Sequence, residues 1–295
     1  NQALAAITVD PEKVEPIFLL HWLNGKRSIW KNFAGSSRKD PNITSKDVSD
    51  FPVVLMDIHE QKAIAKLLST WDEAIDKTCQ LIEQKELRKK ALMQQLLTGK
   101  KRLKGFTGEW KKLSAGEVFK SISLKSTGEE ELLSVTQDMG IVPRNMLIGR
   151  VTMPNNGTES FKLVEKGNFV ISLRSFQGGL EYSYYRGVVS PAYTVLKPKL
   201  EINDIFYKYY FKSYDFIGHL AVAVIGIRDG KQISYDDFCL VQIPSPSSAE
   251  QIAIAEILQK ADVEIELEKQ KLEQLKLQKK ALMQVLLTGK KRIKI

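Results

Sequence analysis

The chain has 295 residues, which is enough for two domains or for one domain with extensions. Its hydrophobic content of 43% allows buried cores and argues against global disorder. The formal net charge of +9 favours a polyanionic partner, nucleic acid before a membrane surface. The longest apolar run, at 220–227, is too short to cross a membrane, and no signal peptide is apparent. Two cysteines without metal-ligand spacing fit a reducing, cytoplasmic setting.

The most informative feature of the sequence is a repeat with a period of 190 residues. KKALMQQLLTGKKRLKG at 89–105 returns as KKALMQVLLTGKKRIKI at 279–295. With a further shift of one or two residues, EPIFLLHWL at 15–23 resembles NDIFYKYYF at 203–211. This period is far longer than that of a solenoid repeat. It indicates that one unit, a globular region followed by a long segment, is present twice.

Both long segments are predicted to be helices of roughly 40 residues, or about 60 Å each. Their apolar residues recur at steps of three and four, which is typical of a coiled-coil seam. The predicted seam residues are Ile64, Leu68, Trp71, Ile75, Ile82, Leu92 and Leu96 in the first helix, and Ile254, Leu258, Ile265, Leu272, Leu275, Leu282 and Leu286 in the second.

Start and stop signals support both helices. DIHE at 57–60 and SSAE at 247–250 each have a capping residue followed three positions later by a glutamate. Gly99 and Gly289 suit the left-handed position after a helix. Such helices can serve as a dimerisation or spacer coiled coil. Two matched helices in one chain can also pair with each other, antiparallel, and hold two globular regions a fixed distance apart.

The region between the helices is predicted to be a mixed α/β domain. β-Branched and aromatic runs bounded by Gly, Pro or Asn predict its strands. KGN at 166–168 is predicted to be a tight turn, and Asn203 to cap a helix that continues to Tyr214. The predicted strands are ELLSVT at 131–136, FKLV at 161–164, NFVISLRS at 168–175 and GVVSPAYTVLKP at 187–198.

The loops of this domain contain many residues suited to DNA contacts. Arg and Gln can bind a base edge with two hydrogen bonds, and Tyr, Lys and Ser suit phosphates and sugars. The alternatives are that the tyrosines belong to the core or the sheet surface and that the basic helix ends are solvated caps. The candidates are Arg144, Arg150, Arg174, Ser175, Gln177, Tyr182, Tyr184, Arg186, Arg228 and Lys231 in the domain, with Lys100, Lys101, Arg102, Lys290, Lys291 and Arg292 at the helix ends.

The sequence offers little for catalysis. Its three histidines form no metal or nucleophile pattern, and no Walker loop or dinucleotide fingerprint is present. Asp50 with Glu60 and Lys62 faintly resembles a nuclease triad, but the second copy of the repeat has Ile252 in place of the lysine. We therefore predict that the chain has no catalytic residues, binds no metal and requires no cofactor of its own. A coiled-coil DNA-binding adaptor without an enzyme partner remains an alternative.

Together, these motifs resemble the specificity subunit of a type I restriction–modification system. The two helix ends, KKALMQQLLTGKKRL and KKALMQVLLTGKKRI, match the family's conserved helices, and GNFVISLRSFQGGLEYSYYRGVVSPAYTVL at 167–196 resembles its target recognition domains. The resemblance implies an α+β chain in which recognition domains are joined by two long antiparallel helices with a pseudo-twofold repeat. It implies double-stranded DNA as a ligand, read as a bipartite target.

The resemblance also implies partner proteins that carry out the chemistry. Two methyltransferase subunits would dock on the helices and use S-adenosylmethionine, while motor–nuclease subunits would use ATP and Mg²⁺.

One departure from the family pattern is that the front of the chain is short. The expected order is the C-terminal part of a first recognition domain, the first long helix, a complete second recognition domain and the second long helix. Their boundaries are 1–55, 56–104, 105–246 and 247–295. NQALAAITV at the front aligns roughly with SPAYTVLKP at 190–198, so the counterpart of 106–189 is missing before it. This departure leaves open whether the chain alone reads both halves of a target.

Overall fold

The residues described by the computed structural model are 6–26, 29, 44–147, 158–223 and 233–294. Three of the predicted DNA-contacting residues, Arg150, Arg228 and Lys231, lie outside these ranges. The chain divides into two compact units, one within 1–85 and 264–295 (the outer unit) and one within 86–263 (the central unit). Among the described residues, no helix is both long and apolar enough to span a membrane.

The elements mix helices with short antiparallel strands, which makes the chain α+β, as predicted. The helices are α1 (Pro16–Gly25), α2 (Ser45–Asp50), α3 (Ile58–Leu96), α4 (Ala115–Val118), α5 (Ser175–Gly178), α6 (Asp204–Tyr210), α7 (Tyr214–Ala223), α8 (Tyr235–Leu240) and α9 (Ser248–Leu286). The strands are β1 (Lys111–Ser114), β2 (Phe119–Ile122), β3 (Leu133–Thr136), β4 (Gly140–Pro143), β5 (Lys162–Val164), β6 (Phe169–Ile171), β7 (Glu181–Tyr182), β8 (Gly187–Val189), β9 (Thr194–Pro198) and β10 (Gln242–Ser245).

The long helices α3 and α9 have the same length, 39 residues each, in agreement with the prediction from the repeat. Both are followed by a glycine with φ of 70°, Gly99 and Gly289. Left-handed backbone at this point favours glycine because a Cβ would strain it.

The starts of α3 and α9 are capped, but the predicted reciprocal capping box is wrong. Asp57 Oδ1 accepts a hydrogen bond from the His59 backbone N–H at 2.8 Å, and Ser247 Oγ accepts one from the Glu250 N–H at 3.4 Å. The carboxylates of Glu60 and Glu250 do not close the box, because each binds an arginine instead. The sequence pattern could not reveal these competing partners, which are distant along the chain.

The predicted seam residues all lie on sheltered faces of the two helices. Each unit contains one segment of α3 and one of α9, so seam residues from both helices are buried in each unit. The buried ones are Ile64, Leu68, Ile82, Leu96, Ile254, Leu258, Ile265 and Leu286. The half-buried ones are Trp71, Ile75, Leu92, Leu272, Leu275 and Leu282.

In the outer unit, the two helix segments run antiparallel. Arg292, beyond the end of α9, binds Glu60 at the start of α3, and Lys85 Nζ lies 2.8 Å from Glu264 Oε2. Helix α1 packs Phe18 and Trp22 against this pair. The core of the unit consists of Phe18, Trp22, Phe51, Ile64, Ala65, Leu68, Leu286 and Leu287.

The central unit contains the sheets, which pack against its own helix segments. Its largest sheet has the strand order β2-β9-β6-β7, with every neighbouring pair antiparallel. Phe119 and Phe169 lie on this sheet with ring centroids 5.5 Å apart in an edge-to-face arrangement. Phe211 packs against both rings. This aromatic core fixes the ends of β6 and β7, between which the predicted recognition loop lies.

Two local sequence predictions need correction. The helix predicted from Asn203 to Tyr214 is two helices, because α6 ends at Tyr210 and α7 begins at Tyr214. Asn203 does cap the first, since its Oδ1 accepts from the Phe206 N–H at 2.8 Å. The strand predicted over 168–175 ends at Ile171, and the strand predicted over 187–198 is two strands, β8 and β9. The strand predicted over 168–175 ends early because side-chain hydrogen bonds turn the chain after Ile171.

Candidate nucleic-acid interface

The loop after β6 presents Arg174 and Gln177 to solvent. Ser175 Oγ accepts a hydrogen bond from the Ser172 backbone N–H at 2.8 Å, which ends the strand and begins the helical turn α5. Both Arg174 and Gln177 are exposed on this turn. Ser175 itself is only 1% exposed, so its predicted role in contacting DNA is wrong. Its hydroxyl instead fixes the backbone that carries the two exposed side chains.

The base of this loop requires glycine and is tied down by a buried ion pair. Gly179 has φ of 74°, and a Cβ there would lie 1.8 Å from the carbonyl oxygen of Phe211. Lys212 Nζ donates to the Gly178 carbonyl at 3.0 Å and pairs with the buried Glu181. Burial raises the pKa of Glu181, and the charge of Lys212 opposes that shift. The loop is therefore held from below by contacts that leave its outer side free.

Arg174 lies in a groove of about 620 Å³ beside strand β3. Gln137 Nε2 approaches the Arg174 carbonyl oxygen at 3.4 Å, so the β3–β4 turn and the α5 loop meet here. The groove is lined by Val135, Thr136, Gln137, Asp138, Ser172, Leu173, Arg174 and Tyr193.

Arg144 lines a neighbouring pocket of about 280 Å³. Val135 and Tyr193 line both this pocket and the Arg174 groove, so the two arginines occupy adjacent depressions on one surface. Arg144 follows β4 and is half-buried. Paired arginines with an aromatic ring between them suit base edges and sugars, because guanidinium groups form two hydrogen bonds with guanine and aromatic rings stack.

Gln177 lines a third groove, of about 830 Å³, with three lysines: Lys90, Lys100 and Lys212. Lys90 Nζ lies 4.8 Å from the centre of the Tyr214 ring, and Tyr214 is 63% exposed. Asp215 also lines this groove and Lys212 is paired with Glu181, so Lys90 and Lys100 supply its net positive charge, which suits a phosphate backbone.

Sequence reasoning missed Lys90, Gln137 and Tyr193 as members of these grooves. Tyr193 was part of a predicted strand, and Lys90 belongs to a predicted helix, so neither stood out as a loop residue. The contact between Gln137 and the α5 loop depends on residues 37 positions apart and has no local signature.

The predicted tyrosines have different environments. Tyr184 is 46% exposed, and its hydroxyl accepts a hydrogen bond from Lys208 Nζ at 2.9 Å. Tyr182 is only 4% exposed, packs against Phe169 and donates its hydroxyl hydrogen to Asp204, so its assignment as a DNA contact is wrong. Tyr182 lies in β7, where both residues are buried, whereas Tyr184 lies beyond the end of that strand. Arg186 is exposed.

At the helix ends, the lysines and arginines behave differently. Lys100, Lys101, Lys290 and Lys291 are exposed. Arg102 and Arg292, predicted as DNA contacts beside them, also form ion pairs with carboxylates of their own units. Arg102 is half-buried, whereas Arg292 remains exposed.

In the central unit, Arg102 Nε and Nη2 bind the two oxygens of Glu250 at 2.6 and 2.7 Å, and Trp110 Nε1 donates to Glu250 at 2.9 Å. In the outer unit, Arg292 Nε binds Glu60 at 2.7 Å. The hydrogen bond from Arg292 lowers the pKa of Glu60.

These ion pairs also bear on the nuclease alternative. Glu60 is 2% exposed, and Arg292 and the Ile293 N–H occupy its carboxylate. A carboxylate held in this way is poorly placed to coordinate a metal ion. The side chain of Lys62, the third residue of the suggested triad, is exposed. Within the described ranges, no group of three or more His, Cys, Asp or Glu side chains could hold a metal.

Comparison with known proteins places the chain in a family. The model of the type I restriction modification DNA specificity domain matches residues 107–277, which is more than half of the chain. The MjaVIII type I restriction enzyme specificity subunit of Methanocaldococcus jannaschii is 27% identical over 310 residues, covering 95% of this chain and 71% of that protein. A second sequence from that archaeon, assigned as the MjaX specificity subunit, is 27% identical over 317 residues, covering 99% of this chain and 72% of the relative.

Solved structures support the fold. The HsdS subunit from Thermoanaerobacter tengcongensis is 19% identical with a TM-score of 0.52, covering 96% of this chain and 72% of that one. The S subunit of a type I system from M. genitalium is 18% identical with a TM-score of 0.57, covering 94% and 74%. The chain therefore belongs to the family of type I restriction–modification DNA specificity domains.

Proposed function

We propose that this chain directs a type I restriction–modification complex to a bipartite DNA target and performs no chemistry itself. DNA recognition is the function of the family to which it belongs. The observation that carries the proposal is the surface formed by Arg144, Tyr193, Arg174 and Gln177 on a rigid sheet scaffold. Side chains held by a rigid scaffold but open to solvent can enter a groove of DNA without a large cost of ordering.

The division between reading and positioning follows from residue chemistry. Arg144, Arg174 and Gln177 are the residues we assign to base edges, because their planar groups form paired hydrogen bonds with guanine or adenine. Lys100 and Lys101 are assigned to phosphates, because a flexible ammonium group supplies charge without base selectivity.

The chemistry belongs to partner subunits in this proposal. Two methyltransferase subunits dock on the repeated helical segments and use S-adenosylmethionine to methylate adenine, and motor–nuclease subunits use ATP and Mg²⁺ for restriction. Support for two equal docking positions comes from the repeat, since the ion pair of Glu60 with Arg292 in one unit returns as that of Glu250 with Arg102 in the other. Equal local structures offer equal surfaces to identical partners.

The test is reconstitution with the methyltransferase subunit that this proposal requires, sought first in the genes beside the one that encodes this chain. The purified chain with DNA, S-adenosylmethionine, ATP and Mg²⁺ should leave the DNA unmodified, and adding the methyltransferase subunit should give adenine methylation at one sequence. Mapping the methylated sites would show the motif and the gap between its halves. Exchanging 106–245 for the same region of a relative should change one half-site and leave assembly intact. Robust methylation or cleavage by the chain alone would refute the proposal, and DNA binding without any methyltransferase partner would favour an adaptor.

A further inference from the structure

A carboxylate shares the groove beside β3 with Arg174. Asp138 lies in the turn between β3 and β4, is exposed and lines this groove of about 620 Å³. Phosphates repel a carboxylate, so an acidic side chain on a surface that meets DNA weakens binding to every sequence. The position of Asp138 therefore needs a reason, either in the fold or in the DNA.

The geometry of the turn does not require Asp138. Aspartate is common in turns because its carboxylate can accept a hydrogen bond from a nearby backbone N–H. Here Thr136 has that role, since its Oγ1 accepts from the Met139 N–H at 3.1 Å and donates to the Gly140 carbonyl oxygen at 2.9 Å. Gly140, with φ of 74°, supplies the left-handed residue that closes the turn.

The electrostatics of the central unit do not favour Asp138 either. Burial raises the pKa of the Glu181 carboxyl, Lys212 opposes that shift, and the negative charge of Asp138 adds to it. Asp138 thus disfavours the ionised form of a carboxylate that pairs with Lys212. A residue that works against its own fold in this way points to a function outside the chain.

Backbone contacts fix the turn of Asp138 against the loop of Arg174. Gln137 Nε2 approaches the Arg174 carbonyl oxygen at 3.4 Å. Lys212 Nζ approaches the carbonyl oxygen of Gln137 at 3.4 Å and donates to that of Gly178 at 3.0 Å, so one ammonium group contacts both segments. The groove therefore presents a carboxylate and a guanidinium from two segments that are held together.

This pair of charges matches one base pair in the major groove. A G·C pair presents the N7 and O6 acceptors of guanine beside the N4 amino donor of cytosine. A guanidinium can donate two hydrogen bonds to the guanine, and a carboxylate can accept one from the cytosine amino group. A carboxylate gains nothing from a phosphate, which offers only acceptors and negative charge.

We infer that Asp138 is a specificity-determining residue that accepts a hydrogen bond from the N4 amino group of cytosine, in the G·C pair whose guanine Arg174 binds. This inference rests on the proposed function and deepens it, because it names a base pair and a second residue that reads it. Asp138 also acts by exclusion, since thymine O4 or guanine O6 at the place of the amino group would face its negative charge.

The test compares the unaltered full chain with Asp138→Ala. Selection from a library of random DNA with the unaltered chain gives the preferred motif without need of a partner subunit. Fluorescence anisotropy then measures affinity for that motif, for each of its single-base-pair variants and for random DNA. Asp138→Ala should lose about 10-fold on the motif and relax its preference at one G·C position, as for loss of one base contact.

Affinity of the same variant for random DNA should change in the opposite direction. It should rise by about 2-fold at low salt, because a negative charge near the phosphates has been removed, and the gain should shrink as salt is added. Damage to the loop would instead lower both affinities. Opposite signs therefore separate base reading from a structural role.

Three further variants sharpen the assignment. Arg174→Ala should relax the same position as Asp138→Ala, because both residues read one base pair. Asp138→Asn keeps an acceptor oxygen and should lose less of the preference than Asp138→Ala. Glu129→Ala is the control, since it removes an exposed carboxylate of the same domain outside the three grooves and should leave the preference at every position unchanged.

The outcomes separate this inference from the proposed function. If the unaltered chain selects no motif, both fail. If it selects one and Asp138→Ala keeps every preference, or weakens target and random DNA alike, the assignment of Asp138 is wrong while the proposed function stands. Relaxation at an A·T pair, or at a position other than the one that Arg174→Ala relaxes, would also overturn it.

Discussion

Arg102 Nε lies 2.6 Å from Oε1 of Glu250, a carboxylate that is 1% exposed at the start of α9. Trp110 donates to the other oxygen, and the guanidinium lies 5.4 Å from the centre of the Trp110 ring. A buried carboxylate is stable only when its charge and lone pairs are satisfied. The last basic residue of the KKR motif is therefore a structural partner of the other long helix, and its two lysine neighbours remain open to solvent.

The contrast between Arg102 and its two lysine neighbours predicts different effects of substituting them. Arg102→Ala should lower the free energy of unfolding, because it leaves the Glu250 carboxylate buried without its main partner. Lys101→Ala, one position earlier and exposed, is the matched control and should change stability little. Urea denaturation of both variants measures the difference. Equal stability of the two variants would show that the ion pair contributes nothing.

The exposed lysines should contribute to DNA binding and not to stability. Lys100→Ala is expected to weaken target and random DNA alike and to reduce the slope of log affinity against log salt concentration by about 1, as for loss of one phosphate contact. Fluorescence anisotropy at several salt concentrations measures both quantities. The control is Lys120→Ala, an exposed lysine on strand β2 away from the three grooves. An unchanged salt slope for Lys100→Ala would place this residue away from the phosphates.

The long helices could be predicted from the sequence because their signals are local. Seam spacing, N-terminal caps and the glycine after each helix all lie within the element that they specify. The partners of Glu60 and Glu250 could not be predicted in this way, since Arg292 and Arg102 are 232 and 148 positions away. A basic tail contains several similar residues, and only the packed structure shows which one reaches a carboxylate.

The recognition domain was harder to predict because its strands are short and pair across long distances. Strand β2 pairs with β9, and β1 pairs with β10, although neither β1 nor β2 has a marked alternating pattern. The sequence identified the loop of Arg174 and Gln177 but could not separate Tyr182 from Tyr184. The two residues have the same propensity, and tertiary packing decides that Tyr182 in β7 is buried while Tyr184 beyond the strand is exposed.

The glycine at the base of the recognition loop offers a test of that packing. Gly179→Ala and Gly105→Ala both place a side chain on backbone with positive φ, at a cost of about 1–3 kcal/mol each. Only Gly179 also meets another group, the Phe211 carbonyl oxygen, whereas nothing lies within 4 Å of a Cβ at Gly105. Gly179→Ala should therefore be the more destabilising change by urea denaturation. The opposite order would contradict the described path of this loop.

Stability of the outer unit should depend on pH through His21. This side chain is 3% exposed, and its Nδ1 lies 3.7 Å from Asp72 Oδ2. Burial and the nearby charge of Lys279 lower its pKa below 6.5, while Asp72 opposes the shift. Below pH 6.5 the unfolded chain therefore binds more protons at this residue than the folded chain, so stability falls as pH falls.

Hydrogen exchange in α1 between pH 5 and 8 would measure this effect. Protection should decrease towards pH 5 after correction for the intrinsic exchange rate, and His21→Gln should remove that part of the decrease. If the unaltered chain and the His21→Gln variant show similar pH dependence, groups other than His21 cause it.

The recognition loop provides the sharpest test of specificity. Arg174, just before α5, and Gln177, within it, are exposed. Ser175, Gly179 and Lys212 hold the backbone beneath them. If each reads a base, Arg174→Ala and Gln177→Ala should each cost about 1–3 kcal/mol on target DNA and relax one position of the motif. Binding to random DNA should change less, because base contacts contribute little to it.

The measurement is binding to the target and to single-base variants, together with methylation mapping in the reconstituted complex. Lys120→Ala, an exposed basic residue of the same domain outside the three grooves, serves as the control for loss of charge. If Arg174→Ala weakens target and random DNA equally, as a phosphate contact would, then the loop positions the DNA and bases are read elsewhere. If it relaxes one position while Lys120→Ala does not, the groove beside β3 contains the reading residue.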